Sequence, residues 1–169
     1  MRNIILTGFM GTGKTSVGKL LAARLGYRFR DVDGLIVAQE RRSINDIFTD
    51  SGEAYFRQVE TDVLARVLQG RLLVVSTGGG AVVSGHNRRL MRGSGVVVNL
   101  TASPAVVLER LAGDDARPLL KDEKGLEKII AMLAEREPFY ADADIRIDTT
   151  GKNVEDVVRE ILMMLERGV

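Results

Sequence analysis

Short apolar runs alternate along the chain with longer stretches whose apolar positions recur at helical spacing. The apolar runs predict five β-strands, near Asn3–Thr7, Tyr27–Asp31, Leu72–Ser76, Val96–Leu100 and Asp144–Ile147. Because these runs are rich in Val and Ile, they are typical of strands that a parallel sheet buries on both faces. With helical stretches between consecutive strands, the pattern predicts β-α-β units and an α/β fold.

Local signals indicate where several helices begin and end. Residues Lys14–Leu25 carry apolar side chains on one face and are followed by a glycine. Ser43, with Asp46 three residues later, predicts a side-chain cap at the start of a long helical region. Pro104 favours the first turn of the helix after the fourth strand, where a missing N–H costs nothing. Val154–Leu165 predicts a final amphipathic helix.

Two segments break this alternation. Residues 34 to 70 add almost entirely helical sequence between the second and third strands. Residues 112 to 124 form a charged connection that is long for a compact domain, and their centre, Arg117-Pro118-Leu119-Leu120, is too apolar for a plain linker. We therefore interpret this connection as a lid. A chain of 169 residues is long enough for one sizeable core, so we expect a single domain over residues 1–169.

Composition and charge exclude several classes of protein. A formal net charge of +1 offers no basic footprint for nucleic acid or an anionic membrane. The absence of Cys excludes disulfides and thiolate metal sites, and a single His excludes a cage of histidines. The first apolar run is too short for a secretion signal or a membrane span. We therefore expect a cytoplasmic protein whose partners are small molecules.

The strongest local motif is GFMGTGKT, residues 8–15, which follows the first predicted strand and opens a helix. It fits the Walker A pattern, Gly-x-x-x-x-Gly-Lys-Thr, without a mismatch. Glycines let successive backbone N–H groups turn toward a phosphate, and the positive end of the helix adds to the attraction. Lys14 is expected at the β- and γ-phosphates, and the Thr15 hydroxyl at Mg²⁺. The motif predicts that the chain binds ATP with Mg²⁺.

Two charged pairs are candidates for the acceptor site, each with a simpler explanation. Asp31 and Asp33 come at the end of the second predicted strand, where alternation would put both side chains on one face. One carboxylate can hold Mg²⁺ through water while the other deprotonates an alcohol, although two solvated turn residues explain the pair as well. Arg57 and Glu60, three residues apart on a helix, also fit a surface ion pair.

Two further signals are equally open. The glycines of TGGG, residues 77–80, permit close approach of a ligand to the backbone, or simply a tight turn. Arg136 precedes Pro138, which is expected to end its helix, so a cation at a helix C-terminus accounts for Arg136 without any ligand. No single one of these signals identifies the acceptor.

Taken together, the motifs resemble the shikimate kinase family. Besides the Walker A motif, the shared stretches are Asp31-x-Asp33, SINDIF (43–48), GEAYFR with Glu60, VVSTGGG (74–80), Arg117-Pro118-Leu119 and REPFY, in the family's order and near its spacing. The resemblance covers essentially the whole chain. It implies a three-layer P-loop fold with a five-stranded parallel sheet in the order 2-3-1-4-5. It also implies a substrate-binding insertion at about 34–62 and a lid at about 112–124.

The resemblance further implies transfer of the γ-phosphoryl group of ATP to the 3-hydroxyl of shikimate by a monomer, with residue roles that follow the family's motifs. The implied shikimate-binding residues are Asp33, Arg57, Glu60, Gly78, Gly79, Gly80 and Arg136, with Phe48, Phe56, Pro118 and Leu119 beside the ring. The implied ATP-binding residues are Gly11, Thr12, Gly13, Lys14, Thr15, Ser16, Arg110 and Arg117. Mg²⁺ is expected at Thr15 and, through water, at Asp31. Lys14, Asp33 and Arg117 are expected to be catalytic.

Other classes of protein account for parts of this pattern. A GTPase would need an Asn-Lys-x-Asp motif, which the chain lacks. A kinase of nucleoside monophosphates would need more arginines for the acceptor phosphate, whereas gluconate shares the carboxylate and hydroxyls of shikimate and stays open. A regulatory module that does not transfer a phosphoryl group is expected to lack some of the catalytic and binding residues. All of them are present in this chain. Neither the loop Thr149–Asn153 nor His86 carries a specific signal, and His86 is expected to be exposed.

Overall fold

The computed structural model of the chain describes residues 2–112 and 123–168. The strands are β1 (Asn3–Thr7), β2 (Arg28–Asp31), β3 (Leu73–Ser76), β4 (Gly95–Thr101) and β5 (Ile145–Asp148). The helices are α1 (Lys14–Leu25), α2 (Val32–Glu40), α3 (Ile44–Val67), α4 (Gly85–Ser94), α5 (Pro104–Ala112), α6 (Glu123–Tyr140) and α7 (Val154–Glu166). A short 3-10 helix, Ala81–Val83, follows β3. All five predicted strands are confirmed, each with ends shifted by at most one residue.

The five strands form one parallel sheet in the order β2-β3-β1-β4-β5, which is the order that the resemblance implied. The chain leaves β1 toward β2 on one side and returns from β3 to β4 on the other. The crevice at the carboxyl ends of β1 and β3 is therefore the switch point at which open α/β sheets bind their ligands. Leu6 pairs with Ser76 there, and the N–H of Thr77 donates to the Leu6 carbonyl at 3.1 Å.

The sheet is covered on both faces, which gives the three layers expected of the fold. Alternation along β1 sends Ile5 to one face, where it joins a core built with α2 to α6. Ile4 and Leu6 point to the other face and pack with α1 and α7. Helices on both sides are what a parallel sheet requires, since every crossover returns over a face.

The two edge strands differ from the expectation of burial on both faces, and along β5 buried and exposed side chains alternate. The side chains of β2 are exposed or half-buried throughout, because β2 lies at the edge of the sheet and has only β3 as a neighbour. The prediction that Asp31 and Asp33 share a strand face is also wrong. The strand ends at Asp31, and Asp33 lies in the first turn of α2, which begins at the fully buried Val32.

The cap predicted at Ser43 is confirmed, whereas the predicted end of α6 at Pro138 is wrong. The Ser43 hydroxyl accepts from the Asp46 N–H at 3.1 Å, and the Ser43 N–H donates to the Asp46 carboxylate, which completes a capping box. Gly52 breaks the regularity of α3 with a φ of 84°, so the long helix is two helices joined at a kink. Pro138 does not end α6 as expected. The helix continues to Tyr140, and the Ala141 N–H still donates to the Glu137 carbonyl at 2.8 Å.

Most of the predicted lid, including Arg117, Pro118 and Leu119, lies outside the described residues. Among the described helices, none combines the length and the apolar character that a membrane span needs.

Candidate active site

The phosphate loop joins β1 to α1 at the centre of the sheet edge. A side chain at Gly8 would run into the Leu100 carbonyl, and the backbone there has a φ of 141°, so only glycine fits. The Lys14 ammonium donates to the carbonyls of Gly8 at 2.7 Å and Phe9 at 2.9 Å. The buried Thr12 hydroxyl also donates to the Phe9 carbonyl. The loop therefore holds its lysine close to its own backbone, at the N-terminus of α1, where an anion is favoured.

The candidate metal ligands lie next to this loop. Thr15 and Ser16 are exposed in the first turn of α1, and Asp31 is half-buried at the end of β2. Burial raises the pKa of Asp31, and the N–H of Asp33 and the charge of Lys14 oppose that rise. No group of three acidic or His side chains able to hold a metal occurs in the described ranges. A hydroxyl and one desolvated carboxylate suit Mg²⁺ that keeps waters and phosphate oxygens as its other ligands.

The candidate acceptor-site residues converge on the turn Gly78–Gly80. A methyl group added at Gly78 would lie 2.8 Å from Oε1 of Glu60 and 2.9 Å from Oδ1 of Asp33. One added at Gly79 would lie 3.6 Å from Nη1 of Arg136 and 3.4 Å from the N–H nitrogen of Met10 in the phosphate loop. Gly78 therefore lies beside the carboxylates of Glu60 and Asp33, and Gly79 lies beside the Arg136 guanidinium.

Arg57 lies beside the third glycine, Gly80. A methyl group there would lie 2.6 Å from Nη1 and 2.8 Å from Cζ of Arg57, so the guanidinium lies directly over the glycine. Side chains from α2, α3 and α6 therefore meet over one short turn, beside the phosphate loop. The structure brings Asp33, Arg57, Glu60 and Arg136 together, as the resemblance implied, although they are far apart in sequence.

Glu60 is the most deeply buried of these charges, with only 1% of its side chain exposed. Its Oε2 accepts from Nη1 of Arg57 at 2.8 Å. Burial raises the pKa of Glu60, Arg57 and Arg136 lower it, and the charge of Asp33 raises it further. Arg57 also lies 3.5 Å from the exposed Glu53 and 5.2 Å from the centre of the Phe56 ring. The Arg57 guanidinium is consequently held in one orientation by a buried partner and an aromatic face.

Aromatic side chains border the cluster. The rings of Phe48 and Phe56 are 4.6 Å apart, and Ile44 packs against the same core. The Arg136 guanidinium lies 5.6 Å from the centre of the Phe9 ring. Both arginine side chains of the cluster therefore lie beside aromatic rings.

Arg110 links the phosphate loop to the loop that follows β5. Its Nη1 donates to the Gly11 carbonyl and to the Thr149 hydroxyl, and its Nη2 donates to the Thr149 carbonyl, all at 3.0 to 3.1 Å. Its recorded contacts thus hold the loop Thr149–Asn153 against the Walker A glycines. His86 is exposed in the first turn of α4, as expected, and lies outside this cluster.

Sequence reasoning missed Tyr140 and Phe9. Tyr140 is buried, and its hydroxyl donates to the Gly79 carbonyl at 2.6 Å. The segment REPFY contained the signal, since Tyr140 comes one helical turn after Arg136 on the same face. Phe9 lies inside the Walker A motif at a position that the motif leaves open, so no sequence pattern pointed to it.

Comparison with known proteins agrees with this geometry. The family model described as shikimate kinase matches residues 10–166. A shikimate kinase of Geobacter metallireducens is 60% identical over 166 residues, which cover 98% of this chain and 93% of that protein. The structure of shikimate kinase from Acinetobacter baumannii in complex with shikimate superimposes with a TM-score of 0.93 at 37% identity, covering 100% of this chain and 96% of the other. A gluconokinase from Sinorhizobium meliloti gives a TM-score of 0.70 at 23% identity, covering 98% and 92%, which shows a shared fold alone.

Proposed function

Because this chain belongs to the shikimate kinase family, we propose that it transfers the γ-phosphoryl group of ATP to the 3-hydroxyl of shikimate, giving shikimate 3-phosphate and ADP. The observation that carries the proposal is the convergence of Asp33, Arg57 and Arg136 on Gly78–Gly80, directly beside the phosphate loop. The acceptor hydroxyl and the transferring phosphoryl group then meet in the space between the two loops.

The phosphate loop holds the nucleotide. Backbone N–H groups of Gly11 to Lys14 surround the β-phosphate, and the Lys14 ammonium, with three donor hydrogens, reaches the β- and γ-phosphates. Lys14 already donates to two loop carbonyls, so it is positioned before the nucleotide arrives. Such positioning supplies much of the catalysis in phosphoryl transfer, because the loose transition state asks for little covalent chemistry.

The acceptor site binds the carboxylate of shikimate at one end of the glycine turn and its hydroxyl groups at the other. Arg57 and Arg136 lie over Gly80 and Gly79, where two guanidinium groups match a single carboxylate in charge and shape. Asp33, at the opposite end of the turn, accepts hydrogen bonds from the ring hydroxyls and takes the proton of the attacking one. Glu60 holds Arg57 in place from beneath. Phe48 and Phe56 border the apolar side of the ring.

Mg²⁺ fits the site through the Thr15 hydroxyl and, by way of water, the Asp31 carboxylate. When bound, it neutralises charge on the phosphate oxygens. Burial raises the pKa of Asp31, and a bound cation would oppose that rise because its charge favours the ionised carboxylate.

Arg117 is proposed as a further cation at the transferring group, delivered by the lid at about 112–124 together with Pro118 and Leu119. An arginine supplied in this way contributes on the order of 10³–10⁵ in rate in other phosphoryl-transfer enzymes. Replacement of Arg117 by alanine tests this part separately from the acceptor clamp. Arg110 and the loop Thr149–Asn153 are proposed to border the adenine, and a cytoplasmic monomer stays the prediction from sequence.

The proposal is tested by measuring ADP release from Mg·ATP with shikimate, with gluconate, or with no acceptor. We expect rapid release only with shikimate. Release with gluconate alone would keep the phosphate half of the proposal and reject the acceptor. Binding of ATP without release under any condition would favour a regulatory module instead.

A further inference from the structure

The acceptor clamp explains Arg136 but not the aromatic residues that follow it in REPFY. Tyr140 is 3% exposed, and its hydroxyl donates to the Gly79 carbonyl oxygen at 2.6 Å. We propose that Tyr140 is a positioning residue that fixes the direction of the Gly80 N–H toward the acceptor. This inference rests on the proposed function, since the acceptor is the ligand that the N–H would meet.

The turn anchors two of its three glycine carbonyls by itself. The Gly78 carbonyl accepts from the N–H of Ala81 at 3.1 Å, and the Gly80 carbonyl accepts from the N–H of Val83 at 3.1 Å. In the described part of the chain, the hydrogen bond recorded for the Gly79 carbonyl is the one from Tyr140. Tyr140 therefore supplies the anchor that the backbone of the turn does not.

Anchoring this carbonyl also fixes the adjacent N–H group. The Gly79 carbonyl and the Gly80 N–H belong to one planar trans peptide unit and point in opposite directions. Glycine on both sides of the unit offers little resistance to its rotation, because neither residue carries a Cβ. A short hydrogen bond to the oxygen holds the plane and also polarises the N–H as a donor.

The same side chain connects the turn to Arg136. Tyr140 and Arg136 are four residues apart on α6 and therefore lie on one face of the helix. Burial raises the pKa of Tyr140, while the charge of Arg136 and a hydrogen bond with it act in the opposite direction. Because Nη1 of Arg136 also approaches Gly79, one phenol ring keeps the arginine and the glycine peptide in a fixed relation.

The test is Tyr140→Phe, which removes the hydroxyl and keeps the ring in the core. We expect the KM for shikimate to rise about 3- to 10-fold, as the loss of one hydrogen bond implies. The KM for ATP and kcat should stay near the wild-type values. The melting temperature should fall by about 2 to 4 °C, because the Gly79 carbonyl loses its donor. In the unliganded protein, the NMR resonance of the Gly80 amide should shift. Tyr27→Phe is the matched control, because Tyr27 is half-buried on the opposite face of the sheet.

The outcomes separate this inference from the proposed function. If the wild type turns over shikimate and Tyr140→Phe leaves its KM unchanged, the positioning role is wrong. Equal rises in the KM for shikimate and for ATP would show a merely structural role and also overturn it. If the wild type does not turn over shikimate, the proposed function fails first. In that case the NMR resonance of the Gly80 amide still tests whether Tyr140 anchors the peptide. An unshifted resonance in Tyr140→Phe would show that it does not.

Discussion

Replacement of Gly80 by alanine would place a methyl group in the space that the Arg57 guanidinium occupies. The backbone of Gly80 has a φ of −94° and a ψ of −4°, which alanine adopts without strain. The added carbon would lie 2.6 Å from Nη1 and 2.8 Å from Cζ of Arg57, well inside ordinary contact. Since the obstructing atoms are the end of a flexible side chain, the guanidinium moves by about 0.8 Å or more and the fold is kept.

A shift of this size separates Arg57 from the position that a carboxylate needs. A hydrogen bond to a charged group contributes about 1.5 to 3 kcal/mol, so its loss predicts a fall of about 10- to 100-fold in kcat/KM for shikimate. The KM for ATP should change little, because the three atoms nearest to the added methyl group all belong to Arg57 on α3. Steady-state kinetics with each substrate varied in turn measures both effects.

A glycine elsewhere gives the control for this experiment. Gly93 in α4 has no atom within 4 Å of an added methyl group, so Gly93→Ala should leave kinetics unchanged. It should also stabilise the helix by about 0.5 to 1 kcal/mol. Wild-type kcat/KM for shikimate in Gly80→Ala would refute the claim that the observed position of Arg57 is required for binding.

The remaining predictions concern the two carboxylates at Gly78. Asp33→Asn should lower kcat by about 10²- to 10⁴-fold, because an amide cannot take the hydroxyl proton. Shikimate should still raise the melting temperature of this variant, which thermal unfolding measures. A near-normal kcat in steady-state kinetics would exclude Asp33 as the base. Burial raises the pKa of Glu60 above its ordinary 4.5, so the folded protein holds that proton more tightly than the unfolded chain. The Glu60 contribution to the free energy of unfolding therefore falls as pH rises from 4.5 through the folded-state pKa. Glu60→Gln should remove this decrease in urea unfolding as the pH rises above 4.5. An unchanged pH dependence would show that Glu60 does not contribute to it.

Local patterns in the sequence were sufficient for most of the secondary structure. The five strands, the start of α1, the capping box at Ser43 and the position of Pro104 all follow from residues within a few positions of each other. Such features depend on short-range hydrogen bonding and on the period of apolar residues, which a single sequence shows directly. The Walker A motif belongs to the same class, because one short segment forms the whole loop.

Departures from these patterns were set by the tertiary structure. The exposure of β2 depends on its place at the sheet edge, and the kink at Gly52 divides α3 into two helices. Pro138 stays inside α6, whose end is held by the bond from Tyr140 to Gly79. Asp33 belongs to a helix that begins one residue after the strand, which alternation alone could not anticipate.

The acceptor site was visible in the sequence only through resemblance. From spacing and periodicity, Arg57 fits a surface ion pair and Arg136 fits a cation at a helix C-terminus. Neither explanation needs any residue outside the helix that carries the arginine. Their function depends on α2, α3 and α6 meeting over three glycines, and that meeting is decided by the strand order and by packing across the sheet. The sequence by itself determined the elements and the phosphate loop, because those are local. The tertiary structure alone decided which distant side chains share one turn, because long-range contacts arise only when the sheet is assembled.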